Sequence, residues 1–179
     1  MKIAILGYSG SGKSTLAKYL GHRYGIPVLY LDRVQFLPGW QVRDRGEAVS
    51  IVEEFMKQPS WVIDGNYSNF LQEKRLEQAD FIVFMNFSRL SCFFRACRRY
   101  LQNRNISRES MADGCLEKMD WAFVRWILYE GRTKRKRSRY RGIVERYREK
   151  TVILKNQKQL DRFMEKPFFS EPPPAENFS

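Results

Sequence analysis

Residues 7–15 read Gly-Tyr-Ser-Gly-Ser-Gly-Lys-Ser-Thr, and no other stretch of the chain restricts its fold as tightly. Gly7, Gly12, Lys13 and Ser14 satisfy G-x-x-x-x-G-K-[ST], the phosphate-binding loop. The flanks supply the context the motif needs. Lys2-Ile3-Ala4-Ile5-Leu6 is an apolar run of strand type, and after the loop Leu16, Tyr19 and Leu20 recur at helical spacing. Gly7, Gly10 and Gly12 let the backbone bend and approach an anion. Backbone N–H groups and the start of the helix then face the phosphates, so Gly7, Ser9, Gly10, Ser11, Gly12, Lys13, Ser14 and Thr15 form the candidate nucleotide-binding set. Lys13 is placed to reach the β- and γ-phosphates, and the Ser14 hydroxyl to ligate Mg²⁺. ATP and Mg²⁺ are the cofactors this implies.

Five strand candidates alternate with helical stretches, as in a parallel α/β sheet. They are Lys2–Leu6, Val28–Leu31, Trp61–Ile63, Phe81–Phe87 and Thr151–Leu154. Helices are expected at about 13–24, 46–57, 69–78, 89–103, 116–130, 134–149 and 157–165. The reading is an α/β fold of P-loop NTPase type: three layers, α/β/α, on a five-stranded parallel sheet with a helical lid insertion. Residues 1–165 are read as one domain with the lid at about 104–135. Residues 166–179, with Pro172-Pro173-Pro174, read as a flexible tail.

Composition narrows the function. No apolar run approaches the ~20 residues of a membrane span, and Met1 leads directly into the first strand, leaving no room for a signal peptide. Cys92, Cys97 and Cys115 form no C-x-x-C pair, which argues against a disulfide framework and a four-cysteine zinc site. A cytoplasmic protein without zinc or membrane partner is expected. The net charge of +12 sits almost wholly in residues 89–148, which hold 17 basic and 6 acidic residues. Fourteen of those 17 are Arg, whose planar fork binds phosphate bidentately. Nucleotide phosphates or a nucleic-acid backbone both suit such a segment, the latter non-specifically because no DNA- or RNA-reading motif accompanies it.

Asp64 ends an apolar strand where a carboxylate could hold Mg²⁺, or else cap a turn with Gly65. Asp32 follows the second strand at the carboxyl edge where open α/β sheets bind ligands. It could take a hydroxyl proton from an acceptor, orient metal-bound water, or close a turn with Arg33. Trp40 and Tyr67 are candidate stacking surfaces or core residues. Arg43, Asn66 and Arg75 complete the candidate acceptor set, with Asp32, Trp40 and Tyr67. In the basic run 132–141, Arg132 or Arg135 is expected to reach the phosphates when a lid closes, Arg132 as a catalytic cation. His22, the lone His, reads as structural.

The loop, the strand pattern, Asp64-Gly65 and the Arg95/Arg99 pair resemble adenylate kinase and related small-molecule kinases. Leu31-Asp32, Pro38-Gly39-Trp40, residues 61–67, Arg75, Ala79-Asp80 and residues 114–118 more closely resemble the DNA topology modulation proteins, a flagellar-regulator-type branch of those kinases. The resemblance implies an ATP-dependent phosphotransferase with a small-molecule or nucleotide acceptor. It also implies that Arg95 faces the nucleotide and Arg99 the phosphates, as binding and catalytic residues beside Lys13 and Asp32. Its alternative is a nucleotide-binding protein associated with DNA through residues 89–148. One departure matters: where adenylate kinases place a phosphate-clamping Arg four residues after the Asp, this chain has Ser68.

Overall fold

The computed structural model describes residues 1–102, 109–112, 114–115 and 119–165. Strands β1 (Lys2–Gly7), β2 (Val28–Tyr30), β5 (Trp61–Asp64), β6 (Phe81–Met85) and β7 (Thr151–Leu154) form one parallel sheet in the order β2-β5-β1-β6-β7. β3 (Phe36–Leu37) and β4 (Gln41–Val42) make a separate small hairpin. The helices are α1 (Lys13–Tyr24), α2 (Leu31–Gln35), α3 (Arg45–Met56), α4 (Gln72–Gln78), α5 (Arg89–Gln102), α6 (Trp121–Leu128), α7 (Lys134–Arg146) and α8 (Gln157–Glu165). Helices cover both faces of the sheet, which explains why its central strands are apolar on both sides. Ile3, Ala4, Ile5, Val62, Ile63, Ile82 and Val83 are fully buried, as is Trp61.

All five expected strands are present, four with shifted ends and Thr151–Leu154 unchanged. Val28–Tyr30 stops one residue early because Leu31 opens α2, whose Asp32 carbonyl accepts from the Phe36 amide. Trp61–Asp64 gains Asp64, which pairs in register with Tyr30 and with Ile5. Phe81–Met85 stops before Asn86, although the Asn86 amide still donates to the Leu154 carbonyl at 2.8 Å. The helix expected from residue 116 begins at Trp121, where Asp120 caps it by accepting from the Phe123 amide at 2.8 Å. The β3–β4 hairpin was not anticipated: two residues per strand are too few for a periodicity to register.

Sheet order positions the site. β1 lies between β5 and β6, so the chain departs from the sheet centre to opposite sides, and a crevice opens beyond the carboxyl ends of the strands. Residues 7–15 connect β1 to α1 at that crevice. The expected lid falls partly on residues 109–112, 114–115 and 119–120, on α6 and on residues 129–135; residues 104–108, 113 and 116–118, and the expected tail, lie outside the described residues. Among the described residues no helix is long and apolar enough to cross a membrane.

Candidate active site

The phosphate loop is built around its glycines. Gly7 has φ of +148°, and a Cβ there would sit 2.6 Å from the Met85 carbonyl oxygen on the neighbouring strand. Gly10 has φ of +79° and packs against the Cys92 carbonyl at the start of α5 with no space for a side chain. The loop closes on itself through the Ser11 amide, which donates to the Tyr8 carbonyl at 3.1 Å. Asn66 grips its entrance: Oδ1 accepts from the Gly7 amide at 3.0 Å, and Nδ2 donates to the Gly7 carbonyl at 2.7 Å. Gln72 Nε2 in turn donates to the Asn66 carbonyl at 3.2 Å.

Lys13 and Ser14 open α1. Lys13 Nζ donates to the Tyr8 carbonyl at 3.2 Å, curled along the loop. Ser14 Oγ donates to Asp64 Oδ2 at 2.7 Å, so a hydroxyl and a carboxylate meet at the end of the central strands. Two hard oxygen donors side by side suit Mg²⁺, which takes few protein ligands and completes its shell with phosphates and water. Among the described residues no group of three or more His, Cys, Asp or Glu gathers at metal-binding spacing.

A cavity of about 1500 Å³ opens over the loop. Ser9, Gly10, Gly12, Lys13, Ser14, Thr15, Asp64, Arg95 and Arg99 line one part; Asp32, Trp40, Asn66 and Tyr67 also line it. Gly7 and Ser11 lie behind this surface, as the buried frame of the loop. Arg95 covers Gly12 and rests on the Phe87 ring at 4.9 Å, and it donates to Gln157 Oε1. Burial draws its guanidinium below the usual arginine range. Tyr67 donates its hydroxyl to Asp32 Oδ1 at 2.8 Å; burial first, and then the Asp32 carboxylate, push that phenol upward.

Three expected site residues are placed elsewhere. Arg75 is fully buried: Nε donates to the Phe70 carbonyl and Nη2 to the Tyr67 carbonyl, both at 2.7 Å. Burial lowers it to about 10, so it stays charged at neutral pH while it folds the 67–70 loop rather than meeting an acceptor. Arg43 donates to the Val34 carbonyl at 2.9 Å and pairs with Glu47, away from the large cavity. Arg132 is buried behind the loop, its guanidinium 3.6 Å from the centre of the Tyr8 ring and Nη2 donating to the Phe87 carbonyl at 2.7 Å. A flat cation satisfies an aromatic face and a carbonyl together, which makes Arg132 a brace for the loop from behind. Arg135 is exposed and does not line the cavity.

Within residues 104–135, where a lid was expected, Glu109, Ser110, Met111, Asp120, Phe123, Trp126 and Gly131 line the cavity; Lys136 and Arg139 of α7 and Arg98 of α5 bring cations to it. Trp126 Nε1 donates to Ser9 Oγ at 3.1 Å, and Lys136 Nζ stands 3.6 Å from the centre of that indole. Arg139 donates to Gln72 Oε1. Lys136 and Arg139 are three apart on α7, so helical spacing within the basic run could have paired them. Nothing in the sequence marks Trp126 as the residue that reaches the loop. Phe36 and Met111 also line the cavity, with Cys115 and Ala112 in the small apolar cluster behind them.

No family model matches this chain, and no curated protein matches it. Solved structures do. The shikimate kinase from Bacteroides thetaiotaomicron is 15% identical, with 92% of this chain and 94% of that one covered and a TM-score of 0.48. The shikimate kinase from Acinetobacter baumannii in complex with shikimate is also 15% identical, over 92% of this chain and 88% of that one, with a TM-score of 0.48. The deoxyadenosine kinase from M. mycoides, with dCMP and a flexible dCDP bound, reaches a TM-score of 0.50 at 14% identity, over 92% of this chain and 97% of that one. The chain has the three-layer α/β/α fold of P-loop type.

Proposed function

We propose that this chain is an ATP-dependent phosphotransferase that moves the γ-phosphoryl group to a small acceptor bound in the same cavity. The juxtaposition of Lys13, Ser14 and Asp64 at the loop carries the reading. Cavity size supports a second substrate: single-ligand pockets run about 300–1,000 Å³, and this one is about 1500 Å³. Ser14 and Asp64 would hold Mg²⁺, which neutralises developing charge on the phosphate oxygens when it is bound. Lys13, now on the Tyr8 carbonyl, swings to the phosphates. Arg95 and Arg99 add positive charge from α5, and Trp126 with Lys136 covers Ser9 and keeps water from the loop.

Calorimetry with Mg-ATP, followed by turnover with an acceptor mixture, tests this. Lys13→Ala is expected to lower turnover by more than ~100-fold, because it removes a preorganised cation where charge develops. Equal ATP affinity and equal turnover in that variant would refute the assignment.

A second reading has its own observation. Lys134, Arg135 and Arg137 are exposed on α7 and do not line the cavity, so they are available to a polyanion. This is where a DNA association of the kind the topology-modulation resemblance suggests would be made. Binding of duplex DNA that weakens steeply with salt, and that is lost on neutralising these three side chains, is its expected signature.

A further inference from the structure

Charge is divided within the cavity. Its basic lining from α5 and α7 comprises Arg95, Arg98, Arg99, Lys136 and Arg139. The carboxylates of Asp32, Asp64 and Glu109 line the cavity beyond β2 and β5, and Asp120 lines it at the start of α6. On the wall beyond β2 and β5, Lys18 is already paired with Glu109 at 2.5 Å. The cations that a charged acceptor would need there are committed: Arg75 to two backbone carbonyls, Arg139 to Gln72. Ser68 lines the cavity where a clamping arginine would stand. Among the described residues, an acceptor phosphate on this wall would face carboxylates with no uncommitted guanidinium to balance them.

Asp32 has the geometry of a base. Its Oδ1 accepts from the Tyr67 hydroxyl at 2.8 Å, and among the described residues no donor reaches Oδ2. The adjoining walls are flat. Phe36 and Trp40 meet edge to face with centroids 5.2 Å apart, and Tyr67 stacks on Phe70 at 5.0 Å. Trp40 lies at φ of +67°, a left-handed backbone that a bulky side chain adopts only under constraint. Such strain tends to sit at ligand clamps, where the surrounding structure holds a side chain toward the bound molecule.

We infer that the acceptor is an uncharged molecule with a planar ring and a hydroxyl group, of nucleoside or aryl-alcohol chemistry, seated against Trp40 and Tyr67 with its hydroxyl on Asp32. The inference rests on the phosphotransferase reading above. In the step, the acceptor oxygen forms a bond to the γ-phosphorus of ATP. The bond from that phosphorus to the β,γ-bridging oxygen breaks, ADP leaves with the electron pair, and the hydroxyl proton passes to Asp32 Oδ2. An acceptor that is already a phosphate has no proton to give and needs no such base.

The experiment uses the full chain. Calorimetry with Mg-ATP comes first, and a protein that does not bind it defeats the phosphotransferase reading itself. Phosphorus NMR then follows ATP consumption with the ribonucleosides, the deoxyribonucleosides, benzyl alcohol and the matching nucleoside monophosphates. A phosphomonoester from an uncharged alcohol is expected, with monophosphates at least ~100-fold poorer in kcat/KM. Asp32→Asn should lower kcat by more than ~100-fold while ATP affinity stays within about threefold. Trp40→Ala should raise the acceptor KM about tenfold and leave kcat nearly unchanged. Tyr67→Phe, which keeps the carboxylate and removes its orienting donor, should lower kcat about fivefold and covers the case in which Asp32→Asn does not fold. ATP binding with a preference for monophosphates, or with no alcohol phosphorylated, overturns the inference and leaves the phosphotransferase reading standing. Full activity in Asp32→Asn also overturns it.

Discussion

Asn66 illustrates how a pocket residue can act on the fold rather than on a ligand. Both its amide atoms are engaged with Gly7, at 3.0 and 2.7 Å, and Gly7 is buried. Asn66→Ala leaves one backbone N–H and one carbonyl without that partner. A buried polar group deprived of its bond costs about 1–3 kcal/mol, and water entering from the half-buried Asn66 side recovers part, so about 2–4 kcal/mol of stability should be lost in total. For a chain of this size each kcal/mol moves Tm by about 2–4 °C, giving a drop of about 5–15 °C. The phosphate loop begins at Gly7, so ATP affinity should fall together with Tm, by about tenfold or more if the loop entrance shifts by even part of an ångström. Asn66→Asp keeps the acceptor for the Gly7 amide but sets an oxygen against the Gly7 carbonyl, and it should fail in the same direction. Circular-dichroism melts and ATP calorimetry on both variants read the effect. A variant with unchanged Tm and ATP affinity but a raised acceptor KM would refute the argument and make Asn66 an acceptor ligand.

Gly10→Ala should cost more than an ordinary loop substitution, about 2 kcal/mol or more, because the new Cβ meets the rigid Cys92 carbonyl at φ of +79°; a denaturant midpoint equal to the unsubstituted chain's would contradict it. Trp126 donates to Ser9 of the loop, so its fluorescence should report ATP binding, and Trp126→Phe should remove most of the emission change on adding Mg-ATP; an undiminished change would place the reporter elsewhere. Burial raises Tyr140 to about 12, against an ordinary value of 10. The folded state therefore holds that proton longer than the unfolded chain, so the stabilisation is intact below pH 10 and is lost as pH rises toward 12, on the order of 2 kcal/mol. Chemical-denaturation curves between pH 9 and 12 should show this fall, and Tyr140→Phe should lessen it.

Much of this protein was legible in its sequence because local rules and tertiary structure agree. The phosphate loop needs glycines at fixed offsets between a strand and a helix, so Gly7 to Thr15 announced the fold, and Asp64 at a strand end announced an oxygen beside Ser14. The five strands carry two-sided apolar runs because helices cover both faces of the sheet. Arginine was legible as a residue type and not as a location. Arg75, Arg132 and Arg95 are all guanidiniums that could serve a phosphate, yet the first is held by carbonyls at 67 and 70, the second lies over Tyr8, and only Arg95 reaches the cavity. A long side chain can satisfy its charge on whichever carbonyl or ring the packing brings near, and sequence spacing does not record that choice. Asn66 looked like a ligand contact for the same reason: its amide matches a backbone peptide as well as it matches a substrate. The contact of Trp126 with Ser9 of the loop depends on where the packing brings α6. That contact, the burial of Arg132 and the acidic wall beyond β2 and β5 exist only once residues distant along the chain are brought together.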